Sequence, residues 1–285
     1  RNDVIPCVNP PCLSLIKTKQ GSLASLDKKT WLNEAKSSLK TAFENNNPDK
    51  ARILCYTNRV LEQLVPHARR AIHGEMADQL PVLPGEVLIT RKPVMAASSI
   101  ENVASGEEPD MLISSNREII VIDITPESCD LRDLGLINQN DLSSPMIDTL
   151  IAKVRSEERV FSLRLLPQLG SKARKSLDVY LKRLGDIAKQ ADKNERKNFW
   201  RIFFSIRDAF ASVGPASVLT VHRSQGSTFE NVFVASDVFW PDNLPLRRQL
   251  AYVAVTRASK GVWLIGNDLD PDCKNIWENQ FNTYL

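Results

Sequence analysis

The chain has 285 residues, 42% apolar and 25% charged, the composition of an ordinary globular protein long enough for two compact units. Thirty-seven basic against 34 acidic side chains leave a net charge of +3, so charge alone does not mark a nucleic-acid binder, although a local patch stays open. The odd, scattered set Cys7, Cys12, Cys55, Cys129 and Cys273 excludes a disulfide framework and fits a reducing compartment. Cys7 and Cys12 have no second pair downstream to complete a zinc site, so no metal ligand set is expected. No apolar run reaches about 18 residues and no leader opens the chain, so no membrane partner and a cytoplasmic location are expected. The chain starts without a methionine, which predicts a fragment of a longer protein.

In chain order, residues 1–30 read as irregular, broken by Pro6, Pro10 and Pro11. Leu32, Ala35, Leu39, Ala42 and Phe43 recur at helical spacing and predict a helix over about 30–45, closed by a turn at Asn45–Asp49. Ile53–Tyr56 reads as a buried strand. Thr57 or Asn58 then caps a helix whose face carries Leu61, Leu64, Val65, Ala68 and Ile72 and which ends near Gly74. The character changes at Pro81 and Pro84-Gly85. Val87–Thr90, Met111–Ile113 and Ile119–Ile124 predict short strands, with a hairpin turn at Asn116 between the last two, in a small antiparallel barrel. Residues 142–167 read as a possible helix followed by an alternating strand at Val160–Leu166. Ser171–Phe210 is helical and strongly charged, split at Asp192-Lys193-Asn194 into a hairpin whose second arm holds Phe199, Trp200, Phe203, Phe204 and Phe210.

Beyond Gly214-Pro215, Val218–Val221, Val232–Ala235 and Val262–Ile265 read as buried strands, the last two separated by a helix over roughly 245–257. This alternation is that of a wound α/β sheet. The expected fold class is therefore α/β, with a discontinuous sheet domain over 1–84 and 212–285. An insertion over 85–211 is β-rich at 85–125 and mainly helical at 142–211.

Two segments carry the polar groups suited to chemistry. Thr220, His222, Arg223, Ser224, Gln225 and Gly226 leave the carboxyl end of a buried strand, where ligands collect in open α/β sheets. The Thr220 and Ser224 hydroxyls can donate to phosphate, Arg223 offers a bidentate fork, Gln225 donates and accepts, and Gly226 permits close backbone approach. On residue types alone the same residues read first as a polar turn with a capping hydroxyl and a solvated arginine. Arg257 ends an otherwise apolar helix. As structure it is a cation against the helix dipole, worth up to about 1 kcal/mol. As function it is an arginine reaching a γ-phosphate held by another domain, worth roughly 10³–10⁵ in rate. Arg247 and Gln249 read as helix surface. No Gly-x-x-x-x-Gly-Lys-Ser/Thr loop occurs, so the chain has no phosphate cradle of its own. Trp200, Phe203 and Phe204 either pack in a core or stack bases, and Trp240 packs by default. Lys172, Arg174, Lys175, Lys182 and Arg183 form either a solvated helix face or a phosphate track.

Thr220-x-His222-x-x-Gln225-Gly226 followed by a β strand, and Tyr252–Ala258 about 30 residues further on, together resemble motifs V and VI of superfamily 1 helicases. Ile53–Arg59 resembles the strand-to-helix segment that opens the second RecA-like domain in Dda- and RecD-type members. The resemblance covers 50–75 and 216–268. It implies a RecA-like wound parallel sheet with an inserted barrel-like and helical subdomain. It implies that Arg257 contacts the γ-phosphate of ATP, held with Mg²⁺ mainly by an N-terminal RecA-like domain outside this chain. Thr220 and His222 would touch the backbone of single-stranded DNA, with Arg223 beside them and Thr57 and Asn58 near the groove. Gln225 and Gly226 would couple that contact to the nucleotide cleft. The His-x-x-Gln-Gly form resembles the RecD/Dda/Pif branch, which moves 5′ to 3′. The phosphate loop and the Asp-Glu metal motif are absent, so the chain alone is not expected to hydrolyse ATP. The alternatives are an RNA helicase fragment and a non-catalytic nucleic-acid or protein docking module.

Overall fold

The computed structural model describes residues 13–17, 21–96, 109–135 and 145–266; Cys7, Cys12 and Cys273, and Pro6, Pro10 and Pro11, lie outside them. The chain divides into two units, Arg1–Gln79 with Pro215–Leu285, and Leu80–Gly214.

The first unit opens with strands β1 (Leu13–Lys17) and β2 (Ser22–Leu26), paired antiparallel, where irregular chain was expected. Ser22-Leu23-Ala24-Ser25-Leu26 is too short and too polar to announce itself. It is a strand because it finds a parallel partner at the far end of the chain, with Leu23 beside Val262. Helix α1 (Lys28–Glu44) starts at Asp27, whose carboxylate accepts the N–H groups of Lys29 and Thr30 at 2.9 and 3.1 Å. The hydrogen bond from Thr30 holds the Asp27 carboxyl below the usual carboxylate range. Trp31, Ala35, Leu39 and Ala42 form its buried stripe. Strand β3 (Ala51–Cys55) is buried at every residue, as a parallel strand covered on both faces must be. Helix α2 (Asn58–His73) is capped by the Thr57 hydroxyl and ends at Gly74, whose φ of +64° suits glycine. A short turn of helix, α3 (Met76–Gln79), follows.

The second unit contains β4 (Val87–Thr90), β5 (Val94–Met95), β6 (Met111–Ile113), β7 (Glu118–Asp130), α4 (Leu131–Gly135), β8 (Met146–Ser156) and β9 (Arg159–Arg164). It ends with helices α5 (Lys172–Gln190) and α6 (Lys193–Asp208) and strand β10 (Val213–Pro215). The sheet order is β10-β4-β7-β8-β9, with β5 and β6 forming a separate pair. Asn116 does adopt a left-handed φ of +60°, but it closes no hairpin: β6 pairs with β5, and β7 pairs with β4 and β8. The helix expected after residue 142 is instead strand β8. Its register with β7 runs from Ile120–Arg155 to Asp130–Met146, and this long-range pairing overrides a locally ambiguous sequence. Pro126 is tolerated in β7 because β4 pairs only as far as Ile120, leaving the outer side of the distal half, among the described residues, without a ladder to interrupt. At the ends of the sheet a single parallel bridge joins Leu165 to Ala211, and among the described residues no ladder closes it.

This unit has two apolar cores. One lies under the sheet, around Leu88, Ile119, Val121, Ala152, Val154 and Leu163. The other joins the far end of the β7–β8 ribbon, at Cys129 and Ile147, to Leu177, Tyr180 and Leu184 of α5 and Ile206 of α6. Phe210 belongs to that core but lies beyond the end of α6, not on it.

The chain then returns to the first unit with β11 (Val218–Thr220), β12 (Phe229–Val234), a 3-10 turn at Ser236–Phe239, α7 (Leu244–Val255) and β13 (Ala258–Ile265). The six-stranded sheet has the order β1-β2-β13-β12-β3-β11, parallel from β2 to β11. On one face Phe233 and Trp263 stack at 5.6 Å under α1 and α2, and the Trp31 indole N–H donates to the Trp263 carbonyl at 3.0 Å. The alternate residues Val232, Val234, Val262 and Leu264 are also buried, and α7 packs against the same two strands. Helices on both faces leave the strand ends as the places where polar groups collect. Among the described residues no helix is long and apolar enough to cross a membrane.

Candidate functional site

Three parallel strands end at one level. Val221 N–H donates to Cys55 O at 2.8 Å, and Ala235 N–H donates to Leu54 O at 2.8 Å, so β3, β11 and β12 release their chains side by side. The β3–α2 turn is held there by Asp237, which is 1% exposed. One carboxylate oxygen, Oδ2, accepts the N–H of Tyr56 at 3.0 Å, the N–H of Thr57 at 2.8 Å and the Thr57 hydroxyl at 2.9 Å. Asp237 also adds negative charge beside the start of α2, the favourable end of that helix dipole. The Thr57 hydroxyl meanwhile accepts Val60 N–H at 3.3 Å, and Asn58 stands exposed on the first turn. Cys55 lies beneath. Burial, and then the Asp237 charge, push its thiol well up, so it is an inert packing group rather than a nucleophile.

The segment leaving β11 folds into a compact turn. The Thr220 carbonyl accepts Arg223 N–H at 2.9 Å and Ser224 N–H at 3.1 Å. Of the two hydroxyls that the sequence offers to phosphate, that of Ser224 is turned inward, fully buried and donating to Val221 O at 2.8 Å, while Thr220 is 7% exposed. What faces out is His222, Gln225 and Gly226. His222 lies beside the β3–α2 turn, its ring 6.0 Å from that of Tyr56. Arg223 is half-buried, and its Nη1 has no hydrogen-bond partner among the described residues. Gly226 has φ +85° and open space where a Cβ would stand, so its glycine is required by conformation rather than by crowding.

Arg257 sits at the other end of the sheet. Its carbonyl accepts Phe229 N–H at 2.8 Å at the start of β12. Its guanidinium donates through Nε to Val253 O at 3.2 Å, through Nη1 to Ser227 O at 3.1 Å and through Nη2 to the Thr256 hydroxyl at 3.2 Å. It therefore caps the carboxyl end of α7 and ties that end to the residue after Gly226. Three of its five N–H groups are spent and two are left. The six residues of β12, about 17 Å of extended chain, separate this edge from Asp237.

The structure thus brings Thr57, Asn58 and His222 to one edge and Ser227 and Arg257 to the opposite one, with Arg223, Gln225 and Gly226 on the turn between. Arg247 and Gln249 lie on α7, where the Arg247 Nε donates to Pro241 O at 2.8 Å. Among the described residues no three His, Cys, Asp or Glu side chains stand close enough to hold a metal ion. Sequence reasoning missed Tyr56 and Asp237. The signal was available: Asp237 is a carboxylate just past the apolar run of β12, at the end where ligands collect. Trp240, 52% exposed, does not pack as expected.

Residues 215–265, which contain the β11–β12 turn, Asp237 and Arg257, match the family model described as the UvrD-like helicase C-terminal domain. Over 234 residues the chain is 20% identical to the ATP-dependent DNA helicase dda of Enterobacteria phage T4. That alignment covers 80% of this chain and 48% of the phage protein, so the chain spans about half the length of the curated relative it matches. The crystal structure of Pif1 helicase from Candida albicans aligns with 88% of this chain and 58% of that one, at 12% identity and a TM-score of 0.32.

Proposed function

We propose, from the premise that this chain is a C-terminal part of a superfamily 1 helicase, that it forms the second RecA-like half of an ATP-dependent DNA helicase. The observation that carries the reading is the meeting of Thr57, Asn58 and His222 at the carboxyl ends of adjacent parallel strands, next to a half-buried arginine, Arg223. A single-stranded DNA backbone lying over this edge takes polar contacts from His222, Thr57 and Asn58, with the Arg223 cation beside them and its Nη1 buried beneath. Thr220 and Ser224 shape the turn from beneath. Gln225 and Gly226 lead from the strand edge to Ser227, whose carbonyl holds the Arg257 guanidinium, and so form the route by which strand and nucleotide are coupled. Asp237 is a positioning residue for the β3–α2 turn.

ATP with Mg²⁺, held mainly by an N-terminal domain outside this chain, would supply the phosphoanhydride bond whose hydrolysis drives movement. Arg257 fits a peripheral role there. Its two remaining N–H groups suffice for one phosphate oxygen pair, and its other bonds preset its direction. The open antiparallel sheet of the second unit is read as the barrel-like insertion of the family, and the His222-x-x-Gln225-Gly226 turn as that of the 5′-to-3′ branch.

The test uses the full-length protein. Arg257→Ala is expected to lower DNA-stimulated ATP hydrolysis by about 10³-fold or more while leaving single-strand affinity intact. His222→Ala with Arg223→Ala is expected to weaken strand binding first. Wild-type turnover in the Arg257 variant refutes the assignment. Clear DNA-stimulated hydrolysis by the 285-residue chain alone overturns the division of labour. Unwinding of RNA in preference to DNA duplexes overturns the substrate.

A further inference from the structure

The helical hairpin of α5 and α6 has a charge that the rest of the chain does not share. Residues 172–208 hold eleven basic and five acidic side chains, a net +6, whereas the whole chain is only +3. The remainder is therefore net negative. Helix α6 is also poorly buried: Ile206 is fully buried, while Lys193, Arg196, Lys197, Arg201, Phe204 and Arg207 all stand exposed.

Aromatic rings stand among these cations. Phe203 packs against the core around Leu177 and Leu184, but Trp200 is only half-buried and Phe204 is 43% exposed. The Trp200 and Phe204 rings stack at 5.8 Å with 24° between their planes, and the Arg207 guanidinium lies 4.6 Å from the Phe204 ring centre. Trp200, Phe204 and Arg207 thus make a short column of flat groups along one face, at helical steps of four and three residues. Phe204 also meets Phe203 edge-on at 5.4 Å, and the Arg207 guanidinium is held in place by the Asp208 carboxylate at 2.6 and 2.8 Å.

We infer that this face of α6 binds single-stranded nucleic acid, as a second strand contact on the inserted unit, separate from the sheet edge. Charge complementarity selects a polyanion, and the rings select unpaired bases, since the bases of a duplex offer no free faces to stack on. Lys193, Lys197 and Arg201 follow one another at helical steps beside the column, as phosphate contacts; the column supplies stacking planes, the guanidinium included. This inference does not depend on the helicase reading, because it is argued from the charge and rings of α6, outside the segment that matches the family model.

The test is fluorescence anisotropy of the 285-residue chain with labelled oligothymidine and with a duplex of the same length, over a range of salt. Phe204→Ala is expected to weaken oligothymidine binding by about fivefold or more and to leave duplex binding unchanged. Lys193→Glu with Lys197→Glu is expected to weaken both and to reduce the salt slope for the single strand by about 1.4. His222→Ala with Arg223→Ala separates the two edges. If that variant abolishes all strand binding, the α6 face contributes nothing and the inference falls. It falls likewise if Phe204→Ala matches wild type, if it weakens duplex and single strand equally, or if an acidic protein competes while oligothymidine does not. Circular dichroism of each variant, with the helical signal retained, shows that losses come from the face and not from unfolding.

Discussion

Asp237 gives the sharpest test of how the strand edge is built. Replacing it with alanine removes the single acceptor that serves Tyr56 N–H, Thr57 N–H and the Thr57 hydroxyl. A buried donor left without a partner costs about 1–3 kcal/mol. Tyr56 and Thr57 are half-buried, so water can recover part of this, and a total of about 3–5 kcal/mol is expected. At roughly 2–4 °C per kcal/mol for a unit of this size, the melting temperature should fall by about 6–20 °C. Asp237→Asn keeps one carbonyl oxygen for the three donors but loses the charge and must bury an amide, so it should fall between wild type and alanine. Thermal melts give the stability, and hydrogen exchange at the Tyr56, Thr57 and Val60 amides locates the loss. If Asp237→Ala melts within about 1 °C of wild type and those amides exchange no faster, the carboxylate does not hold the turn and the reasoning fails.

Two further substitutions test the framework. In the inserted unit Glu127 accepts from Arg164 at 2.5 and 2.8 Å, and that hydrogen bonding holds its carboxyl below the usual range. The pair therefore contributes stability above the ordinary carboxylate value that is lost as pH falls through the lowered one. Glu127→Gln should melt lower at neutral pH and lose less than wild type below roughly pH 5; parallel melting curves against pH for the two proteins would refute this. Gly74→Ala meets no neighbouring atom but must adopt φ +64° with ψ −148°, and strain of about 1–3 kcal/mol should appear in denaturant unfolding. An unchanged midpoint would show that the helix end relaxes freely.

The parts of the fold legible in the sequence were those whose signal is local. The stripes of α1 and α2, the Thr57 cap, Gly74 and the three apolar strand runs around 218–265 each announce themselves within a few residues. Strands β2 and β8 did not, because pairing with residues far away in the chain makes them strands, and composition is silent about pairing. Ser224 shows the matching limit at the site. A hydroxyl on a turn can face a ligand or close the turn on itself, and only the Val221 carbonyl decides between the two. Phe204 shows the reverse. Helical spacing places it with Phe203, but one ring roots the cluster in the core while the other remains outside.

The β7–β8 ribbon gives the inserted unit a mechanical character. Thirteen residues of β7, about 40 Å of extended chain, begin in the core under the sheet and end in the core of the helical hairpin. Over its distal part, among the described residues, the ribbon has no third strand on the Pro126 side. Paired strands of this kind twist and flex across their flat side but do not lengthen. The helices therefore sit at the end of an arm whose length is set by the extended chain of β7 and whose flat side is its softer direction.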